Sequence, residues 1–148
     1  MNHLLMFAVL LTAGDFDTHG VEENGEQMLK DVVKIDGSIF KSYGCYCGVD
    51  DIGHGDPKDY IDVCCQIRNC CYRSLKAYLC DAKTTSYNYT YDSEGVECYV
   101  ANHSSWCKTR TCMCDRYYVI CLLDSHGLFN PDFIPLGRRD CSDAPPRC

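Results

Sequence analysis

No two cysteines in this sequence are separated by just two residues, although 14 of its 148 residues are cysteine. Structural zinc sites usually draw two thiolates from one C-x2-C turn, so the missing spacing argues against a metal cluster. Nor does any apolar run approach the ~20 residues that a membrane-spanning helix needs. Basic residues are scarce: 14 Lys and Arg stand against 21 Asp and Glu, for a net charge of -7. That balance argues against nucleic acid as a partner and against simple attraction to anionic membranes. There is no internal repeat and no low-complexity linker, and the length suits one domain of ordinary size.

Cysteine is what the chain has in abundance, in the proportion of a disulfide scaffold. All 14 lie between Cys45 and Cys148, some adjacent (Cys64-Cys65, Cys70-Cys71) and some one residue apart (Cys45/Cys47, Cys112/Cys114). They point to a disulfide framework formed in an oxidising compartment, hence to secretion and an extracellular location. The N-terminus agrees. Leu4 to Leu11 is an apolar stretch of signal-peptide length, although Met1-Asn2-His3 before it lacks Lys and Arg. Residues 1–20 read as a signal peptide, with cleavage after Gly14 or Gly20, and residues 21–148 as the mature domain. The alternative is a buried N-terminal helix. Removing residues 1–20 takes Asp15 and Asp17 and leaves the domain acidic.

Three helices and a hairpin can be read along the domain. Glu22 to Lys34 places Met28, Leu29, Val32 and Val33 on one stripe, and Asp36-Gly37 ends it. Tyr43 to Pro57 is rich in glycine and aspartate and reads as loop. Asp56-Pro57 supplies an N-cap and first-turn proline for a second helix to about Tyr78. Tyr87 to Tyr91 alternates in β fashion, Asp92-Ser93-Glu94-Gly95 turns, and Val96 to Val100 returns. A third helix covers about Trp106 to Leu123, and His126 to Cys148 is an irregular tail held by Cys141 and Cys148. Cys64 and Cys71 are two turns apart on the second helix, as are Cys114 and Cys121 on the third. Antiparallel helices would bring Cys64 to Cys121 and Cys71 to Cys114. A parallel pair fits the spacing too but needs a longer crossover. Arg68 lies between the two cysteines of the second helix.

The run Tyr43-Gly44-Cys45-Tyr46-Cys47-Gly48, followed by Pro57, Asp59, Asp62, Cys64-Cys65 and Cys70-Cys71-Tyr72, resembles the secreted phospholipase A2 family. Cys112-Met113-Cys114-Asp115 strengthens the likeness, which spans Met28 to Cys148. Cys70 and the terminal Cys148 are similar to the group II branch. The fold implied is mainly α and disulfide-rich: the phospholipase A2 fold, with two long antiparallel helices, an N-terminal helix, a calcium-type loop and a β-hairpin wing. The bridges implied are Cys45–Cys141, Cys47–Cys65, Cys64–Cys121, Cys70–Cys148, Cys71–Cys114, Cys80–Cys107 and Cys98–Cys112.

The resemblance also implies a chemistry. In the family's motif a histidine on the second helix is the general base, and the next residue, an aspartate, holds Ca2+ with carbonyls of the glycine-rich loop. Here Arg68 and Asn69 occupy those two positions. An arginine, with its pKa above 12, does not accept a proton at neutral pH. An amide offers a hard cation neither charge nor a bidentate grip. The loop from Cys47 to Pro57 is also two residues longer than the family pattern, with Asp50-Asp51 as the insertion. No catalytic pair is intact on this reading, and the metal positions Tyr46, Gly48, Ile52 and Asn69 form a degenerate calcium site. Asp115, Tyr72 and Tyr87 match the residues that support the histidine, and an enclosed Arg68 is expected to pair with Asp115.

Blander readings stand beside these. His54, His103 and His126 read as solvated loop histidines rather than substitute bases. Asp50, Asp51 and Asp56 could restore a weak calcium site or be a solvated turn. Trp106, Tyr87, Tyr89, Tyr91, Tyr117 and Tyr118 read as core and strand packing. Asn88-Tyr89-Thr90 and Asn102-His103-Ser104 are N-glycosylation sequons. The expected function is that of a secreted phospholipase A2 homologue that is not an enzyme, needs no cofactor and acts by binding a receptor, a phospholipid or calcium mineral. The alternative is a calcium-dependent phospholipase A2 that hydrolyses the sn-2 ester of phospholipids. Glu22, Glu23 and Glu26 in the first helix suggest weak or no interfacial membrane binding.

Overall fold

The computed structural model describes residues 21–49, 51–99, 106–134 and 140–148. The expected signal peptide, Asp50 and the sequon at Asn102 with His103 lie outside them. Helix α1 spans Val21–Val33 and seals Met28, Leu29 and Val33 against the core. It ends where Lys34 turns into the left-handed region (φ 64°). Asp36 then caps a short 3-10 turn, Gly37–Phe40, by accepting from the Ser38 amide.

Helix α2 spans Tyr60–Lys76, starting later than the sequence suggests. Its N-cap is Asp59 rather than Asp56: the Asp59 carboxylate accepts from the amide of Asp62 at 2.9 Å, which satisfies one of the free N–H groups of the first turn. Asp56 is exposed and Pro57 lies before the helix. Helix α3 spans Trp106–Ser125. Cys64–Cys121 and Cys71–Cys114 tie α2 to α3 in antiparallel order. Between them β1 (Tyr89–Asp92) and β2 (Gly95–Cys98) form an antiparallel hairpin with Tyr91 opposite Val96. Asp92 closes its two-residue turn by accepting from the amides of Glu94 and Gly95. The hairpin is anchored at three points: Cys98–Cys112, Arg116 Nε donating to the Val96 carbonyl at 2.6 Å, and Tyr89 Oη donating to Asp31 at 2.7 Å.

The remaining bridges are Cys45–Cys141, Cys47–Cys65, Cys70–Cys148 and Cys80–Cys107, so the seven pairs are those the resemblance implies. Each native bridge of this kind typically adds ~2–4 kcal/mol, mainly by restricting the unfolded chain. The tail is less irregular than the sequence suggests. It forms 3-10 turns at His126–Leu128 and Pro131–Phe133, and Phe129 and Phe133 pack on the Tyr43 ring.

One buried acid organises the loop before α2. Asp62 is inaccessible to solvent and accepts from the backbone amides of Cys45 (2.8 Å), Tyr46 (2.9 Å) and Lys58 (2.9 Å). Gly44, at φ 59°, passes so close to this carboxylate that a Cβ there would overlap it. Asp62→Ala orphans the buried amides of Cys45 and Tyr46 and the partly buried amide of Lys58, at ~1 kcal/mol each. The expected loss is therefore about 3 kcal/mol in chemical denaturation with the disulfides intact; a loss below about 1 kcal/mol would contradict this role.

Candidate functional site

Helices α1, α2 and α3 converge on Arg68. Its Nε donates to Asp115 Oδ1 at 2.7 Å and its Nη2 donates to Tyr72 Oη at 3.0 Å. Asp115 is fully buried on α3 and also accepts from Tyr72 Oη and Tyr87 Oη, both at 2.6 Å. The guanidinium carbon lies over the rings of both Tyr72 and Tyr118, 4.9 Å from each centre, so two aromatic faces attract the cation. Burial alone would weaken the proton's hold on the guanidinium. The carboxylate of Asp115 and the two phenols outweigh it, and the Arg68 pKa lies well above its ordinary value.

Gly25 of α1 was not singled out by sequence reasoning. A Cβ there would stand 2.5 Å from Arg68 Nη2 and 3.1 Å from Asp115 Oδ2. Only a bare backbone lets the first helix close over the ion pair. The available signal was a glycine in the middle of a helix, which costs about 1 kcal/mol relative to alanine and so asks for a packing reason.

Asn69 faces the loop. Its Nδ2 donates to the carbonyls of Tyr46 at 2.8 Å and Ile52 at 3.2 Å. These are two of the carbonyls that the resemblance assigns to calcium. Here an amide N–H group satisfies both, and the side chain brings no negative charge. Arranged in this way the residues do not fit a divalent cation. Among the described residues no group of three or more His, Cys, Asp or Glu side chains is placed to hold a metal. Gly48, in the left-handed region at φ 68°, lines the neighbouring cavity. Asp51 spends its carboxylate on the Gly53 amide at 2.9 Å, and Asp56 is exposed.

The cavity beside Arg68 and Asn69 has a volume of about 410 Å3. Leu29, Phe40, Val49 and Tyr118 give it apolar walls, while Arg68, Lys41 and Lys83 outnumber the single acid, Glu26. The charge of Arg68 is itself balanced by Asp115. The two histidines among the described residues are elsewhere, and each is tied to backbone rather than merely solvated; His103 lies outside the described residues. His54 Nδ1 lies 2.7 Å from the Ser142 carbonyl and His126 Nδ1 lies 3.0 Å from that of Leu122. The aromatic residues divide as well. Tyr87 and Tyr118 are buried and Tyr89 is half-buried. Tyr91, Tyr117 and Trp106 are exposed, because the hairpin and α3 each turn one face to solvent. Asn88 is exposed, as glycosylation requires.

Residues 24–132 match the family model described as phospholipase A2. The chain is 33% identical over 149 residues to the bovine (Bos taurus) protein named "Phospholipase A2, membrane associated", with both chains covered in full. It is 40% identical over 106 residues to "Phospholipase A2" of Pithecopus azureus, covering 72% of this chain and 70% of the relative. It is also 32% identical to the mouse (Mus musculus) "Group IID secretory phospholipase A2", covering 98% of this chain and 99% of the relative. These are names of enzymes, and they overturn the expectation that this chain is not one. That expectation weighed the loss of a proton acceptor, the loss of a metal charge and the longer loop from Cys47 to Pro57. The pocket, the buried Asp115 network and a fixed positive group all remain, and electrostatic stabilisation is usually the larger contribution to catalysis.

Burial raises the pKa of six phenols: Tyr43 to about 12, and Tyr46, Tyr72, Tyr87, Tyr89 and Tyr118 above the ordinary value of 10. The native state therefore keeps protons that the unfolded chain releases above about pH 10. Stability is complete below that pH and falls as pH rises further. In an ultraviolet phenolate titration these six should ionise only as the fold opens. Ionisation of all 11 tyrosines near pH 10, with the circular dichroism of the native fold unchanged, would contradict this.

Proposed function

Because the chain belongs to the phospholipase A2 family, we propose that it acts on phospholipid outside the cell, taking one lipid into the pocket at Arg68 and hydrolysing its sn-2 ester. The observation that supports this best is the cavity itself, with apolar walls for an acyl chain and a fixed guanidinium at one side. A volume of about 410 Å3 is in the range of small-ligand sites. Secretion is part of the same reading, on the strength of the seven bridges and of a relative named secretory.

The residues divide the work unevenly. Hydrolysis places negative charge on the ester carbonyl oxygen as water adds. Arg68, locked by Asp115 and two aromatic rings, can face that charge without reorganising. It does not take the water's proton, since its pKa is raised further above an already high value; that proton passes to bulk water, which also protonates the departing lysophospholipid alkoxide. No step is assigned to calcium, because the Asn69 amide occupies the loop carbonyls. A slow, metal-free hydrolysis is the consequence.

Fatty-acid release from phosphatidylcholine micelles tests it, with wild type beside Arg68→His/Asn69→Asp, each with calcium and with chelator. Wild type should release fatty acid steadily above a protein-free control, with or without chelator. The double variant in calcium should be about 100- to 10,000-fold faster, the typical worth of a positioned general base. No release by wild type would overturn the reading.

A further inference from the structure

Helix α3 carries apolar side chains on both of its sides. The inner side buries Cys112, Cys114, Tyr118, Val119 and Leu122 against α1, α2 and the hairpin. A helix that is apolar all round is normally covered all round. The outer side of α3 is open instead: Trp106 is 41%, Tyr117 54% and Leu123 45% exposed, and Met113 and Ile120 are only partly covered. Trp106, Arg110, Met113, Tyr117, Ile120 and Asp124 follow one another in alternating steps of four and three residues. That spacing lines them up along one face of the helix, and it is the spacing by which one helix packs lengthwise on another. Asp115 faces the opposite way, into the core, so this row lies apart from the pocket at Arg68. The row holds one charge of each sign. Arg110 stands seven residues before Tyr117 and Asp124 seven after it, both exposed, and among the described residues neither is paired within the chain.

We propose that this row is the interface between two copies of the chain, paired through antiparallel α3 helices. A two-fold dimer presents the same patch from both partners, so the patch must complement itself. In antiparallel order Tyr117 packs beside Met113 of the second copy, Arg110 beside Ile120, and Asp124 beside Trp106. The Arg110 head group then reaches Asp124 of the second copy, one turn further along, and symmetry makes this contact twice. A parallel pair would set Arg110 against Arg110 and Asp124 against Asp124, so the charges select the antiparallel order. Tyr78, whose ring meets the Trp106 ring edge-on at 6.1 Å, extends the apolar area past the end of the helix. One helix pair lies at the low end of the area that specific interfaces bury, so the dimer is a transient one with a Kd of about micromolar order.

The experiment is sedimentation equilibrium of the oxidised full chain from about 1 to 500 μM, with fluorescence followed over the same range. Trp106 is the only tryptophan in the sequence, so its emission reports on this face alone. Wild type should pass from monomer to dimer as concentration rises, and Trp106 emission should move to shorter wavelength as the ring leaves water. Arg110→Asp and Asp124→Arg should each weaken the dimer about tenfold, because each brings like charges together twice, and the two combined should restore it. Tyr117→Lys should leave a monomer. All three positions are exposed, so these variants keep the fold, which circular dichroism checks. Wild type that stays monomeric throughout would overturn the proposal, as would a dimer that Tyr117→Lys leaves intact. Failure of the combined charge swap to restore the dimer would overturn the antiparallel order. Monomeric wild type that floats with phosphatidylcholine vesicles, while Tyr117→Lys does not, would assign the row to a lipid surface and overturn the proposal too.

Discussion

The site depends on the ion pair between Arg68 and Asp115 at 2.7 Å. Asp115 is completely buried, and a carboxylate in that position without a positive partner would face a large desolvation penalty. Arg68 needs Asp115 just as much, since little of its side chain reaches water. Everything around the pair serves to satisfy it. Tyr72 and Tyr87 complete the carboxylate's hydrogen bonds, two rings lie against the guanidinium, and Gly25 removes the one side chain that would strike it. The bridges Cys64–Cys121 and Cys71–Cys114 fix the distance between α2 and α3, so the pair cannot part without distorting a covalent frame.

The loop shows the same accommodation on a smaller scale. With an amide at position 69, the carbonyls of Tyr46 and Ile52 receive N–H donors directly. The loop is held from below by Asp62, which collects three backbone amides. A segment that the family uses to surround a metal is thus closed by hydrogen bonds of its own. The positive charge in this region comes instead from Arg68 and the lysines at the cavity wall. That substitution of an organic cation for a metal ion connects the ion pair with the proposed handling of an anionic or charge-developing lipid group.

Much of the scaffold was legible because its signals are local or strictly periodic. The stripe Met28, Leu29, Val33 gave α1, and the equal cysteine spacings on α2 and α3 allowed the antiparallel pairing found. The Arg68–Asp115 pair followed from the resemblance, which places Asp115 beside position 68, together with the rule that enclosed charge needs a partner. The start of α2 was misread because Asp56-Pro57 is as good a local signal as Asp59, and only the hydrogen bond to the Asp62 amide separates them. The exposure of Tyr91, Tyr117 and Trp106 depends on which faces other elements cover, which residue type does not encode. Gly25, Asp62 and the pocket arise from contacts between distant segments. The judgement that the chain is not an enzyme failed for a related reason: two side chains and a longer loop were taken to speak for a whole site.

A double-mutant cycle measures the central interaction most directly. Arg68→Met, Asp115→Asn and their combination would be unfolded in denaturant with all disulfides intact. Each single variant should lose stability, Arg68→Met by about 3–5 kcal/mol because it strands a buried carboxylate, and the double variant should lose less than the sum of the two. Strictly additive losses would mean that the two charges do not hold each other, and the account of this site would fail with them.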